Sequence, residues 1–352
     1  MTRAPKVTAP ARWRARPAGS RTRATRVVAV VAALAVLVVA TAASVAFGAR
    51  PVPLETVWAI LTGAGADPLD VAAVSGLRGP RTAIAATVGI GLGLAGAIMQ
   101  AVTRNPLADP GLLGVTSGSA FAVAIAIAAF GITAPLGYVW PAFGGALLAT
   151  VLVFAVGGGM RGGSPERLVL AGVALGAVLS GAIAGLRLLD PETFSALQVW
   201  ESGRLENRGL DVALPILPAI AIGAALAIAL APALNALALG DDLATSLGSR
   251  VRTTRALSIV AVTLLAGGAT AIAGPIAFVG LMVPHIARWI VGADQRWILP
   301  LSGVLGAVLL LASDVLARVA LWPGELPVGV VTAFIGAPVL IALVRRRKAS
   351  GL

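Results

Sequence analysis

The residues whose types and spacing could do chemistry are few, and most of them are basic. Arg78-Gly79-Pro80-Arg81 sets two arginines three apart around a helix-starting proline, and Arg318 follows Asp314 by four positions on another apolar run. A guanidinium is a planar fork that matches a carboxylate. Arg78, Arg81 and Arg318 therefore form a candidate surface for an acidic partner, against the plainer reading of contact with interfacial phosphates. The Asp314 to Arg318 spacing reads as an ordinary, partly exposed i,i+4 pair near a helix end.

Two other segments have distinctive local chemistry. Residues 239–250 run Leu-Gly-Asp-Asp-Leu-Ala-Thr-Ser-Leu-Gly-Ser-Arg. Gly240 breaks the incoming helix, Asp241 or Asp242 can cap a new one, and Gly248 can end it. A helix of about two turns is predicted, offering Asp241, Asp242, Leu243, Ser246, Leu247 and Gly248 to a soluble partner; the plainer alternative is a surface turn. Residues 104–114 run Arg-Asn-Pro-Leu-Ala-Asp-Pro-Gly-Leu-Leu-Gly, too rich in proline and glycine for a helix. They predict an irregular re-entrant turn that faces protein or water.

Catalytic chemistry finds no footing. A phosphate-binding loop needs a lysine in a Gly-x-x-x-x-Gly-Lys frame, and the only lysines, Lys6 and Lys348, lie elsewhere. The single histidine, His285, has no acid nearby in sequence, and cysteine is absent. No catalytic residue, metal site or bound cofactor is expected, and His285 reads as a satisfied polar residue near a helix end. Any ATP would be bound by partner subunits.

The elements that must position these residues are set by hydropathy. Of 352 residues, 58% are hydrophobic and only 12% charged. That composition excludes a soluble globule and fits a polytopic membrane protein whose solvent is the bilayer. Charge-free runs cover 27–49, 82–103, 110–160, 168–186, 212–240, 256–287, 297–313 and 326–344. A helix needs about 20 residues to cross the hydrocarbon, so 110–160 must fold twice, turning at residues 131–135. The run 256–287 breaks at Gly274-Pro275, its second half continuing towards Gly292. Ten spans result.

Charge placement supports an even count. Residues 1–26 form a basic tail without acids, and Arg345-Arg346-Arg347-Lys348 ends the chain. Basic segments resist translocation, so both termini are expected in the cytoplasm. Threading ten spans leaves Arg50, Arg78, Arg81, Arg187, Arg204, Arg208 and Arg318 as the only basic residues outside. No charge falls at a span centre, which argues against a carrier that titrates a buried group. Glycines recur within the spans, as in residues 89–96, and make faces on which helix backbones can approach closely. The tail lacks interleaved aromatics, and nucleic-acid binding is not expected.

Several of these stretches resemble one family, the permease subunits of ABC importers for iron–siderophore complexes, haem and cobalamin. They are Arg78 to Arg81, residues 96–114 with Asn105-Pro106-Leu107-Ala108-Asp109-Pro110-Gly111, residues 170–176, residues 274–288, and residues 324–333. The likeness runs over about 27–345, between the basic tail at 1–26 and a cytoplasmic tail at 346–352. It implies an all-α fold of the type II importer permease kind, with ten transmembrane helices in a bacterial inner membrane. It also implies a second permease, identical or paralogous, a cytoplasmic ATPase dimer, and an extracytoplasmic binding protein or lipoprotein that delivers a metal chelate, a ferric siderophore being the commonest cargo. By resemblance, Arg78, Arg81 and Arg318 meet glutamates of the binding protein, and the segment around Asp241 to Gly248 couples to the ATPase. Asn105, Leu107 and Ser164 match loops that narrow the cytoplasmic exit; the turn Gly162-Gly163-Ser164-Pro165-Glu166 departs from the family pattern by its proline. A secondary carrier or channel without an ATPase is the alternative that span counting alone permits.

Overall fold

The computed structural model describes residues 22–158, 165–206, 208–321 and 324–349. Among these, seven helices are long and apolar enough to cross a membrane, and three shorter apolar helices complete the ten expected spans. In chain order they are α1 (Arg23–Ala46), α2 (Gly79–Thr103), α3 (Val115–Phe130), α4 (Pro135–Val156), α5 (Pro165–Leu189), α6 (Leu217–Leu237), α7 (Val251–Ala273), α8 (Val279–Val291), α9 (Gln295–Val319) and α10 (Val328–Ala349). No strand occurs among the described residues. The first helix begins inside the basic tail, at Arg23, where the Thr22 hydroxyl caps the Thr25 amide.

α2 is the central element. Of its most apolar stretch 78% is buried within the protein, against 11% for α1 and 17% for α5. It packs on α9, α8, α7 and α6. Lipid tails are as apolar as leucine, so helices in a bilayer associate through close packing rather than hydrophobic expulsion. The glycines of α2 permit that packing: a methyl group at Gly89 would strike the backbone of Gly306, at Gly93 the carbonyl of Ser302, and at Gly96 the backbone of Gly280. The same device joins α3 to α4, where Gly118 and Gly145 face each other's carbonyls.

The predicted break at Gly274 is present. α7 ends at Ala273, Gly274 turns at φ 76°, and α8 starts after Phe278, a non-glycine residue held at φ 69°. Backbone groups freed by the break are met by other segments. The Arg204 amide donates to Ala273 O at 3.0 Å, and Gly329 N donates to Gly203 O at 3.0 Å, bracing the first turn of α10 against the same loop.

Shorter helices, Leu54–Thr62, Pro68–Val71, Pro191–Glu201 and Leu210–Ala213, lie in the links between α1 and α2 and between α5 and α6. They belong to the face opposite the one from which α1 enters. At the entry face, here called the terminal face, Arg26 stands 3.5 Å from Asp294, and Asn235 donates to Asp294 at 2.7 Å. That contact ties the start of α1 to the end of α6 and the start of α9.

Gly93→Val should lower the apparent unfolding temperature in detergent sharply, since forced overpacking costs about 1–3 kcal/mol or more. Gly144→Ala, where an added methyl meets nothing within 4 Å, is the matched control and should melt with the parent. Equal melting of both variants would refute the close contact of α2 with α9.

Candidate functional site

The three arginines singled out from sequence do converge, but they are not an exposed surface. Arg78, Arg81 and Arg318 are all buried, Arg318 to 2% exposure and Asp314 to 0%. This corrects the expectation of a partly exposed Asp314–Arg318 pair. Asp314 accepts from Arg81 Nε at 2.8 Å and from Arg318 Nε at 3.0 Å, while Arg81 Nη1 donates to Glu325 at 2.6 Å. Two guanidinium groups and two carboxylates thus neutralise each other where α2, α9 and the segment before α10 meet.

The remaining donors satisfy the end of α1. The last carbonyls of a helix have no intrahelical partner. Arg78 Nη1 donates to Ala46 O at 2.6 Å and to Val45 O at 3.1 Å, and its Nη2 donates to Arg50 O at 2.6 Å. Arg318 Nη1 donates to Ser44 O at 2.8 Å and Phe47 O at 3.0 Å, and its Nη2 reaches the Ser44 hydroxyl at 2.8 Å. Cations at a helix C-terminus also oppose its negative dipole end.

These groups wall a cavity of about 550 Å³ on the face opposite the termini, lined among others by Arg50, Leu77, Arg78, Leu205, Glu206 and Arg208. Arg208 was not singled out from sequence. It is buried, donates through Nε to Arg204 O at 3.0 Å, and leaves its buried Nη1 without a partner. Burial pulls its guanidinium down to about 10, partly offset by the field of Tyr138, so it remains a cation at neutral pH. Arg78 also lacks a carboxylate partner. Nothing in its local pattern, Arg-Gly in a polar link, distinguishes Arg208 from a solvated residue.

On the terminal face the segment 239–250 forms the predicted short helix, Asp241–Ser246. Its cap differs from expectation. Gly240, at φ 106°, occupies the N-cap position and neither aspartate caps the helix; Gly248, at φ 80°, follows its end. Ala244 is buried as the anchor, while Leu243 and Leu247 are 58% and 67% exposed. The Asp241 carboxylate turns instead to Arg104 and Arg255.

The turn 104–114 is irregular, as expected, with one 3-10 turn at Pro110–Leu113. Asn105 Oδ1 accepts from the Leu107 amide at 3.0 Å, which closes an Asx turn and leaves the Leu107 side chain exposed. Asp109 Oδ1 accepts from Gly111 N at 2.8 Å; burial pushes its carboxyl above the usual range, and the Gly111 hydrogen bond draws it partly back. Ser164 lies outside the described residues. His285 sits mid-way along α8 with its ring edge-on to Trp289, centroids 4.7 Å apart. No group of three or more metal-ligating side chains occurs among the described residues.

Known proteins match this chain along most of its length. The model of the FecCD transport family matches residues 24–346. The chain belongs to the FecCD transport family. The ferric enterobactin transport system permease protein FepD of Escherichia coli (strain K12) is 49% identical over 310 residues, 88% of this chain and 92% of that protein. The iron(3+)-hydroxamate import system permease protein FhuB of Bacillus subtilis (strain 168) is 41% identical over 87% of this chain and 79% of its own. The hemin transport system permease protein HmuU of Yersinia pestis is 37% identical over 77% and 83%. A solved structure described as an inward-facing conformation of a metal-chelate type ABC transporter superposes with a TM-score of 0.79 at 29% identity, covering 90% of this chain and 98% of that one.

Membership of the FecCD family makes this chain a multi-pass inner-membrane permease subunit of an ABC importer, a family whose permeases have no ATPase of their own. The alternative of a carrier working without an ATPase falls with it. The buried cluster around Asp314 then reads as a fastening of the FecCD fold on the face opposite the termini. Asp314→Ala would strand Arg318 as a buried cation and leave Arg81 with Glu325 alone, and breaking such a buried pair costs about 3–5 kcal/mol. Arg50→Ala, which removes a partly exposed pair with Asp70, should cost about 1 kcal/mol or less. Comparable melting of the two variants in detergent would contradict the fastening role.

Proposed function

We propose that the chain is one of two permeases through which a ferric siderophore enters the cytoplasm, driven by a cytoplasmic ATPase pair and supplied by an extracytoplasmic binding protein. The second permease is a copy of this chain or a paralogue. The terminal face is the cytoplasmic one, in keeping with the basic residues at both ends of the chain. The observation that carries the mechanical part is the short helix Asp241–Ser246, from which Leu243 and the following Leu247 project while Ala244 anchors it. Two exposed leucines on one short protruding segment are suited to a cleft in a soluble ATPase. The cargo reading rests on the permeases for ferric enterobactin, hydroxamate and citrate iron among the relatives.

ATP binding would draw the two ATPases together, and the seated helices would convert that movement into tilting of the spans, so that the path opens alternately to either side. Asn105 and Leu107, with Ser164, are proposed to narrow the cytoplasmic exit. Small and apolar span residues suit a bulky chelate, which needs a wide path that does not grip it.

Docking of the binding protein falls to the cavity on the other face. Arg81 and Arg318 are already matched by Asp314 and Glu325. The cations left for an acidic lobe are Arg78 and Arg208, with Arg81 and Arg318 holding the cavity wall in place. Interfacial charge complementarity raises association rates and weakens with salt.

Three measurements test this reading. Leu243→Asp with Leu247→Asp should abolish co-purification of the ATPase, or uncouple hydrolysis from transport, while the membrane fold persists; normal assembly and transport would refute the docking of this helix. Arg78→Glu with Arg208→Glu should slow association of the binding protein at low ionic strength by about tenfold or more, and an unchanged rate would remove this cavity from docking. Cells lacking the chain should lose uptake of radiolabelled iron as its siderophore complex. Loss of cobalamin or haem uptake alone, with siderophore iron intact, would overturn the cargo.

A further inference from the structure

The carboxylate of Asp241 is spent neither on solvent alone nor on capping its own helix. Its Oδ1 accepts from Arg104 Nη2 at 2.7 Å, and Arg255 Nη2 donates to both of its oxygens, at 2.9 and 3.0 Å. Arg104 is the C-cap of α2, held at φ 51° in a region that non-glycine residues seldom occupy. It also opens the turn 104–114. Arg255 stands in the second turn of α7. One carboxylate therefore gathers the short helix, the end of the central span and the start of α7.

The short helix needs such a tie. Six residues hold few backbone hydrogen bonds of their own, and the glycines on either side, Gly240 and Gly248, both turn at positive φ. Ala244 fixes its depth, but a single methyl does not fix its direction. A carboxylate held by two arginines does, because charge-assisted bonds are short and directional, and a network resists disorder better than an isolated surface pair. Beyond Arg104, the turn runs through Asn105 and Leu107 to Leu112, whose carbonyl lies against Gly172 of α5.

We infer that Asp241, with Arg104 and Arg255, is the joint that transmits displacement of the helix 241–246 to the turn 104–114 and to α7. All three are positioning residues. The functional meaning rests on the proposed seating of that helix in an ATPase, whereas the joint itself is a property of this chain.

The chain contains no cysteine, so Leu107→Cys and Thr245→Cys allow two spin labels to be placed in the otherwise unaltered full chain in lipid nanodiscs. The parent should give one narrow inter-label distance. Arg104→Gln and Asp241→Asn should each broaden it, and Arg104→Lys, which keeps the charge, should restore most of the narrowness. In the importer assembled with its ATPases and binding protein, without labels, the two disruptive variants should keep the ATPase bound yet move severalfold less chelate per ATP. Unchanged distances in both variants overturn the joint, whether or not the ATPase binds this helix. Broadened distances with unchanged transport per ATP overturn its part in transmission. If Arg104→Gln does not fold, Asp241→Asn and Arg255→Gln decide the matter. Failure of the seating itself is read separately, from ATPase binding by the Leu243→Asp, Leu247→Asp variant.

Discussion

Close approach of α2 to its neighbours is the constraint on which the rest depends. In a bilayer the apolar surface of a helix gains little by leaving lipid for protein, so association relies on contacts that only small residues allow. Gly89, Gly93 and Gly96 supply them along one side of α2, against α9 and α8. Because α2 runs through the body of the protein, its two ends fall beside the two regions of chemical interest. Arg78 and Arg81 stand at one end, and Arg104 with Asn105 at the other. A helix held this tightly along its length transmits position between its ends without storing much of it as bending.

Charge is handled differently at the two faces, and the difference is physical. Opposite the termini, Asp314 and Arg318 are withdrawn from water almost completely, which is tolerable only because the guanidinium groups of Arg81 and Arg318 find carboxylates and the groups at the end of α1. Burying ions costs several kcal/mol each unless such partners are in place. On the terminal face the pair of Asp241 with Arg104 retains substantial exposure, 41% and 39% at the two side chains, although Arg255 is only 11% exposed. Water can compete there, and the contacts are correspondingly easier to break and remake.

Much of this was legible in the sequence because it follows from local or periodic signals. Ten crossings come from charge-free runs, the break at Gly274 from a Gly-Pro pair, and the irregular turn from Asn105 to Gly111 from its prolines and glycines. What was not legible depends on distant residues. Arg81 meets Asp314 across 233 positions, and no spacing rule announces that pairing; from local pattern the same arginines looked exposed. Asp241 looked like a helix cap because aspartate before an apolar turn usually is one. Two arginines from other spans bid more strongly for its oxygens, and Gly240 took the cap. The helices 54–62 and 191–201 are too short to register as crossings.

The unequal fastening of the two faces has a mechanical consequence. A set of rods clamped firmly near one end and held by weaker ties at the other behaves as levers on a fulcrum. For α1, α2 and α9 that fulcrum is the carboxylate of Asp314 and the guanidinium groups around it. A given angular change then produces little travel beside the 550 Å³ cavity and the greatest travel at the turn 104–114, some 25 residues of helix away, about 35–40 Å at 1.5 Å per residue. Two degrees of tilt there amount to more than an ångström, the scale on which a packed constriction either holds or lets go.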